Sequence, residues 1–212
     1  MKFLKYMALH YDKIGHLLLQ HVRVTVISLV LAAIIGIPLG ILITKNEKAA
    51  KIVLYVAGII QTVPSIALFG FLIPVLGIGL KPAVVALVLY GQLPIIRNVY
   101  TGIKTISPAQ MESARGMGMT GFQILRRIQI PEAFPVILGG IRTAAVALVG
   151  IAAIASIVGA GGLGDLIFEG ISSVNSTVVL AGAIPAALLA LAIDYVLGVL
   201  ERSLNPMPTM KK

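Results

Sequence analysis

The chain of 212 residues is 58% hydrophobic and 12% charged, whereas a soluble domain carries about 25% charged and about 45–50% apolar residues. This composition predicts one integral membrane domain, and the lack of Cys excludes disulfides and thiolate chemistry. The net charge of +9 does not indicate nucleic-acid binding, because the Lys and Arg residues lie mainly between apolar runs and form no basic stripe.

The first 21 residues do not resemble a secretory signal peptide, because polar residues interrupt the apolar stretch too early. These are His10, Asp12, Lys13 and His16. We expect residues 1–21 to form an uncleaved segment on the membrane interface, followed by a membrane helix from about Val22. No metal site is predicted, since the spacings between His10, His16 and His21 place no pair squarely on one helical turn.

Five apolar runs are long enough to cross a bilayer, which takes about 20 helical residues. They cover roughly residues 22–44, 52–76, 82–100, 133–158 and 178–200. None alternates with the period of a membrane strand. The sequence therefore predicts an all-α integral membrane protein with about five transmembrane helices in a domain of residues 22–204, followed by a C-terminal tail of residues 205–212.

The second run contains a polar patch that consists of Gln61, Thr62, Pro64 and Ser65. Membrane helices tolerate Pro where neighbouring helices satisfy the freed backbone groups. The patch marks either a packing kink or a mobile, substrate-lining bend.

Two opposite charges fall inside the fourth and fifth runs, Arg142 and Asp194, at similar depth. Charges within a bilayer are costly unless they are paired. We predict a structural ion pair between them; snorkelling of the side chains and a gate or solute contact are the alternatives.

Basic residues in the connections set the predicted orientation. The connection between the third and fourth runs is basic, whereas residues 159–177 carry Asp165 and Glu169 and no Lys or Arg. The positive-inside rule then places the C-terminus in the cytoplasm and the N-terminus outside. The glycines of residues 159–164 predict tight turns, and they lack the GKS or GKT ending of a phosphate-binding loop.

Residues 101–132 form a cytoplasmic segment that is too polar for lipid. Ser107-Pro108-Ala109-Gln110 and Thr120-Gly121-Phe122-Gln123 predict two capped helix starts, joined at Gly116 and Gly118. Pro131 is expected to end the second helix. The pair forms either a knob for a partner's socket or an amphipathic pair on the headgroups.

Within this segment the spacing of Glu112-Ser113-Ala114, Gly118 and Ile128-Gln129-Ile130-Pro131 resembles the EAA loop of permease subunits from binding-protein-dependent type I ABC importers. Ser113 replaces the usual Ala and Ile130 the usual Leu. The resemblance extends over nearly the whole chain, including residues 61–65 and the glycine run. Within the superfamily the chain is most similar to osmoprotectant permeases for glycine betaine, carnitine or choline.

The resemblance implies a methionine-permease-like helical fold in a bacterial cell membrane. It also implies a second permease subunit, identical or related, two cytoplasmic ATPases and an extracellular or periplasmic solute-binding protein. The coupling loop 101–132 would dock on the ATPase. The residues to which this role is assigned are Glu112, Ser113, Ala114, Gly118, Ile128 and Pro131.

No catalytic residue or cofactor is expected in this chain, and ATP is used by the partner, in agreement with the absence of G-x-x-x-x-G-K-[ST]. The absence of Trp favours tight recognition of a quaternary ammonium by the separate binding protein. The side chains predicted to line a translocation path are Gln61, Thr62, Pro64, Ser65 and Tyr90. A permease for methionine or another small amino acid and an ion-coupled secondary transporter remain alternatives.

Overall fold

The computed structural model describes residues 2–203, which form ten α-helices. In chain order these are α1 Lys2–Leu9, α2 Tyr11–Ile43, α3 Glu47–Thr62, α4 Ser65–Leu76, α5 Leu80–Lys104, α6 Pro108–Gly116, α7 Gly121–Ile124, α8 Ile130–Ala155, α9 Gly164–Ser172 and α10 Ser176–Ser203. A π-helical turn, Leu125–Gln129, joins α7 to α8, and a 3-10 turn, Ser156–Val158, follows α8. The predicted tail, residues 205–212, lies outside the described residues.

Four uninterrupted helical stretches are long and apolar enough to span a bilayer: α2, α5, the stretch from α7 through α8, and α10. Helices α3 and α4 supply a fifth span if they are counted together, although they meet at an angle of 98°. The all-α membrane fold with about five spans is therefore confirmed over the described residues.

Helix α2 begins earlier than the apolar run indicated, at Tyr11 rather than near Val22. The proposed boundary at residue 21 is therefore not a helix boundary. The polar residues of this stretch are compatible with a helix, and Ile14 and Leu17 pack in a buried cluster with Leu163 of the chain after α8. Whether residues 1–21 lie on the membrane interface stays a prediction.

Small residues allow α2, α5 and α8 to approach closely, and the three helices pack against one another. A Cβ added at Gly40 of α2 would lie 2.6 Å from the Cβ of Val99 in α5. A Cβ at Gly140 of α8 would lie 2.5 Å from the Cβ of Asn98. Membrane helices associate through such close packing, because lipid provides little hydrophobic driving force between them. The three helices form the frame on which the remaining elements are positioned.

Candidate functional site

The coupling segment, residues 101–132, contains the two predicted short helices, and its second cap forms as expected. Thr120 Oγ1 accepts a hydrogen bond from the Gln123 backbone N–H at 3.3 Å, and Gln123 Oε1 accepts one from the Thr120 N–H at 2.7 Å. The first start has Pro108 at the beginning of α6, but the Ser107 side chain makes no capping hydrogen bond. Proline therefore begins α6, whereas a reciprocal side-chain cap begins α7.

Pro131 does not end the second helix, so this expectation was wrong. The π-helical turn Leu125–Gln129 continues α7 directly into α8, and Pro131 is the second residue of α8. Pro131 has no N–H to donate, and it follows the π-helical turn, where the regular α-helical hydrogen-bond pattern is already interrupted. The coupling segment and the membrane helix thus form one stretch from Gly121 to Val158.

Among the residues that resemble the EAA loop, some are buried within the coupling segment and others are exposed on its surface. Ala114 is fully buried and Ile128 is partly buried, while Glu112, Ser113 and Pro131 are exposed. Gly118 adopts a φ of 77°, in the left-handed region that favours glycine, and ends α6 before α7 begins. Beside these residues, two large apolar side chains point to solvent, Met117 at 73% and Phe122 at 70% exposure.

Polar contacts hold α6 against the N-terminal end of α8 and the π turn before it. Gln110 Nε2 donates to Glu132 Oε1 at 2.9 Å, and Gln129 Nε2 donates to the Met111 sulfur at 3.7 Å. The segment therefore presents exposed apolar side chains from a supported surface. The sequence predicted the two helices of the coupling segment but not the role of Met117 and Phe122. The available indication was that an apolar residue stands on each side of Gly118 in an otherwise polar segment.

The polar patch at Pro64 lies at the break between α3 and α4. Tyr90 of α5 donates its hydroxyl hydrogen to the Val63 carbonyl at 2.6 Å, and Gln61 Nε2 donates to the Tyr90 carbonyl at 3.2 Å. Gln61, Thr62 and Pro64 are exposed, whereas Tyr90 is only 6% exposed. The five predicted path residues therefore lie close together at the break. Tyr90 is buried there and stabilises the break through its hydrogen bonds to Gln61 and Val63.

Arg142 of α8 and Asp194 of α10 form the predicted ion pair. Arg142 Nε and Nη2 donate to the two carboxylate oxygens of Asp194 at 2.6 and 2.7 Å, a bidentate arrangement that fixes both side chains. Arg142 Nη1 also donates to Glu201 Oε2 at 3.3 Å, a partner that sequence reasoning missed. Gly198 lies between the two acids, and a Cβ there would come within 3.0 Å of the guanidinium carbon.

The glycine run after α8 is a packing surface. Gly162 has a φ of 97°, its N–H donates to Gln20 Oε1 at 3.1 Å, and an added Cβ would lie 3.1 Å from His21 Nδ1. The turns come first, with positive φ at Gly159, Gly161 and Gly162, and helix α9 then follows in the part of residues 159–177 that was predicted to be a loop. There Lys13 and Glu169 pair at 2.7 Å, and burial raises the pKa of the Asp165 carboxyl above its ordinary value.

Known proteins resemble this chain in sequence and in fold. The glycine betaine/carnitine/choline transport system permease protein of Bacillus subtilis (strain 168) is 46% identical over 187 residues, which cover 88% of this chain and 86% of that protein. The osmoprotectant import permease protein of Salmonella typhimurium is 45% identical over 208 residues, covering 93% and 97%. A methionine ABC transporter solved in inward-facing conformations matches with a TM-score of 0.81 and 28% identity, covering 90% of this chain and 95% of that one.

These likenesses confirm the predicted methionine-permease-like fold and the predicted family. Residues 36–206 match the model of the binding-protein-dependent transport system inner membrane component. Membership implies ATPase and binding-protein partners and more than one permease component. The chain therefore belongs to the binding-protein-dependent transport system inner membrane components, as a multi-pass permease subunit of a bacterial ABC transporter and not an enzyme.

Proposed function

We propose that this permease subunit imports quaternary ammonium compatible solutes of the glycine betaine, carnitine and choline type. The observation that carries its role in an ATP-driven importer is the coupling segment, which is internally braced, exposes Met117 and Phe122, and continues into α8. The solute class is supported by the relatives named for these solutes.

The coupling segment docks on a cytoplasmic ATPase, which binds and hydrolyses the ATP. Met117 and Phe122 enter an apolar groove of that partner, since exposed aromatic and Met side chains dominate many protein interfaces. Glu112 and Arg115 lie on the same exposed helix and supply polar contacts around the groove. In this arrangement Ala114, Gly118, Ile128 and Pro131 shape the segment, while Glu112 and Ser113 contact the ATPase.

Closure of the ATPases moves the two coupling segments of a permease pair towards each other. Because α8 continues from the segment through a hydrogen-bonded turn, it follows that movement, and α5 follows through its close packing on α8. The pair then alternates between inward and outward access. The exposed residues Gln61, Thr62 and Pro64 and the partly buried Ser65 line the path, and the solute arrives from an external binding protein.

Co-purification tests the coupling role. The chain is expressed with its ATPase, and Phe122→Ala and Glu112→Arg are each expected to reduce the recovered ATPase severalfold. Tyr195→Ala is the matched control, since Tyr195 is 68% exposed on α10, away from the coupling segment. Recovery of the ATPase at the wild-type level by Phe122→Ala and Glu112→Arg together would contradict the docking surface.

Uptake by the assembled importer tests the solute class. Vesicles that contain the permeases, ATPase and binding protein are expected to take up radiolabelled glycine betaine, carnitine or choline only when ATP is present. Methionine uptake in place of these solutes would favour the amino-acid alternative. Uptake by this chain alone, without ATP, would favour a secondary transporter.

A further inference from the structure

Three charged side chains lie half-exposed on one face of α8 and α10 inside the membrane domain. The side chains of Arg142, Asp194 and Glu201 are 35%, 41% and 32% exposed. Arg142 lies about 24 Å along the helix from Val158, and Asp194 lies about 27 Å from Ser176, at about 1.5 Å per residue. Both therefore lie within the half of the bilayer nearer the coupling segment.

Arg142 and Asp194 favour water or protein over lipid tails around this face, because half-exposed charges in hydrocarbon are strongly unfavourable, and Glu201 lies about two turns nearer the C-terminal end of α10. Exposed surfaces that suit lipid have a different composition. The exposed residues of α2 within its membrane part are apolar, at Val26, Val30, Leu31, Ile34, Ile35 and Leu42, and so are those along α10 at Ile184, Leu188, Leu191, Val196 and Val199. Either water or protein must cover the charged face.

The charged face is concave. A notch with a volume of about 610 Å³ lies between α5, α8 and α10, and its walls include Asn98, Thr143 and Ala147 as well as the charged residues. Pockets of roughly 300–1,000 Å³ hold small molecules. The notch therefore has room for a small solute together with water.

The polar atoms left free in the notch are mainly acceptors. Asn98 donates its amide hydrogen to the Pro94 carbonyl at 2.8 Å, and Thr143 donates its hydroxyl hydrogen to the Gly139 carbonyl at 2.9 Å. Within residues 2–203, no hydrogen bond reaches Glu201 Oε1 or Asn98 Oδ1. One guanidinium and two carboxylates give the three side chains a formal charge of −1, so the notch favours a cationic group.

We propose that this notch is a water-filled part of the translocation path that transiently accepts the cationic group of the solute. The inference rests on the proposed function, and it specifies where part of the translocation path lies and that this part prefers a cationic group. The Arg142–Asp194 pair fixes the walls, and the second carboxylate, Glu201, supplies the excess negative charge. The notch carries no aromatic side chain, so it passes a quaternary ammonium onward and does not hold it tightly.

Thiol labelling tests this proposal directly, because the chain contains no Cys. Thr143→Cys is introduced into the complete importer in membrane vesicles, with Cys-free partner subunits, and treated with a trimethylammonium-ethyl or a sulfonato-ethyl methanethiosulfonate. We expect Thr143→Cys to react with both water-soluble reagents and more slowly when choline is present. Leu188→Cys, at an exposed position of α10 among other apolar residues, is expected not to react because lipid would exclude the water-soluble reagents there.

Charge selectivity distinguishes a cation-accepting notch from a merely wet surface. Adding Glu201→Gln to Thr143→Cys leaves the bidentate Arg142–Asp194 pair in place and removes one negative charge. The ratio of cationic to anionic labelling rates should fall by roughly threefold or more. Transport by Glu201→Gln should show a raised KM with ATPase recovery unchanged.

Two results would overturn the proposal. If Thr143→Cys does not react in the assembled importer, a second permease covers the face. If Glu201→Gln leaves the ratio of cationic to anionic labelling rates unchanged, the notch has no preference for cations. ATPase recovery and ATP-dependent uptake are measured in the same vesicles. If both persist, the notch proposal alone fails and the proposed function stands.

Discussion

At the scale of single residues, the pairing of Arg142 with Asp194 was predictable because a bilayer leaves a buried charge few alternatives. The third member, Glu201, was not predictable, because an acidic residue near the end of a membrane helix is normally solvated. Gly198 was an available indication of this contact, since a guanidinium group can lie against a helix most easily where a side chain is missing. A pattern of Asp, Gly and Glu at positions 194, 198 and 201 places all three on one helical face.

Asp194→Asn should disrupt the cluster more than its small change in size suggests. The neutral amide keeps one acceptor oxygen for Arg142, places an NH2 donor against the other guanidinium N–H, and leaves Glu201 as the acidic partner. We expect a severalfold lower yield of the assembled complex from membranes, measured by detergent extraction and size-exclusion chromatography. Asp12→Asn, at an exposed position of α2, is the control, and equal yields for the two variants would refute a structural role for the pair.

Gly162→Ala should destabilise the protein by about 1–3 kcal/mol, because alanine is strained at a φ of 97° and its Cβ would press on His21. Thermal unfolding in detergent measures the effect as a lower midpoint. Gly150→Ala provides the comparison, since Gly150 is helical and an added Cβ there meets nothing within 4 Å. A midpoint for Gly162→Ala as high as that of Gly150→Ala would contradict the packing role of the glycine run.

At the scale of elements, the sequence predicted the number and the approximate positions of the spans and indicated a kink or bend at Pro64, but it did not predict that the bend there is as sharp as 98°. Pro38, Pro94 and Pro185 lie inside continuous helices, whereas Pro64 stands at the 98° bend between α3 and α4. The difference depends on Tyr90, which is distant in sequence and satisfies the Val63 carbonyl that the break leaves free. Local patterns do not encode such a partner.

Tyr90→Phe should therefore loosen the α3–α4 break. The substitution keeps the buried ring but leaves the Val63 carbonyl without its donor, at a cost of about 1–3 kcal/mol. A lower thermal midpoint and faster proteolysis near residue 63 are the expected readouts. Tyr195→Phe, whose ring is exposed on α10, should change neither, and an equal effect of both substitutions would argue against the hydroxyl.

At the scale of the whole molecule, the orientation is a prediction that labelling decides. Because the native chain lacks Cys, Lys5→Cys and Arg126→Cys, both at exposed positions, introduce single reporters. In intact cells an impermeant maleimide should modify Lys5→Cys at once and Arg126→Cys only after permeabilisation. The reverse pattern would invert the topology and place the coupling segment outside, where no ATPase could reach it.

The π-helical turn Leu125–Gln129 sets the rotational phase between the coupling segment and the membrane part of α8. A π turn accommodates one residue more than a regular α-helical turn would, and each α-helical residue corresponds to about 100° of rotation. Deleting one residue here would restore regular α-helical hydrogen bonding and leave Phe122 facing in nearly the same direction relative to Arg142, because the wide turn already absorbs the additional residue. Forcing that residue into regular α-helical geometry would instead rotate the coupling segment by about 100°. The direction from which the ATPase contacts this subunit therefore depends on this turn staying π-helical.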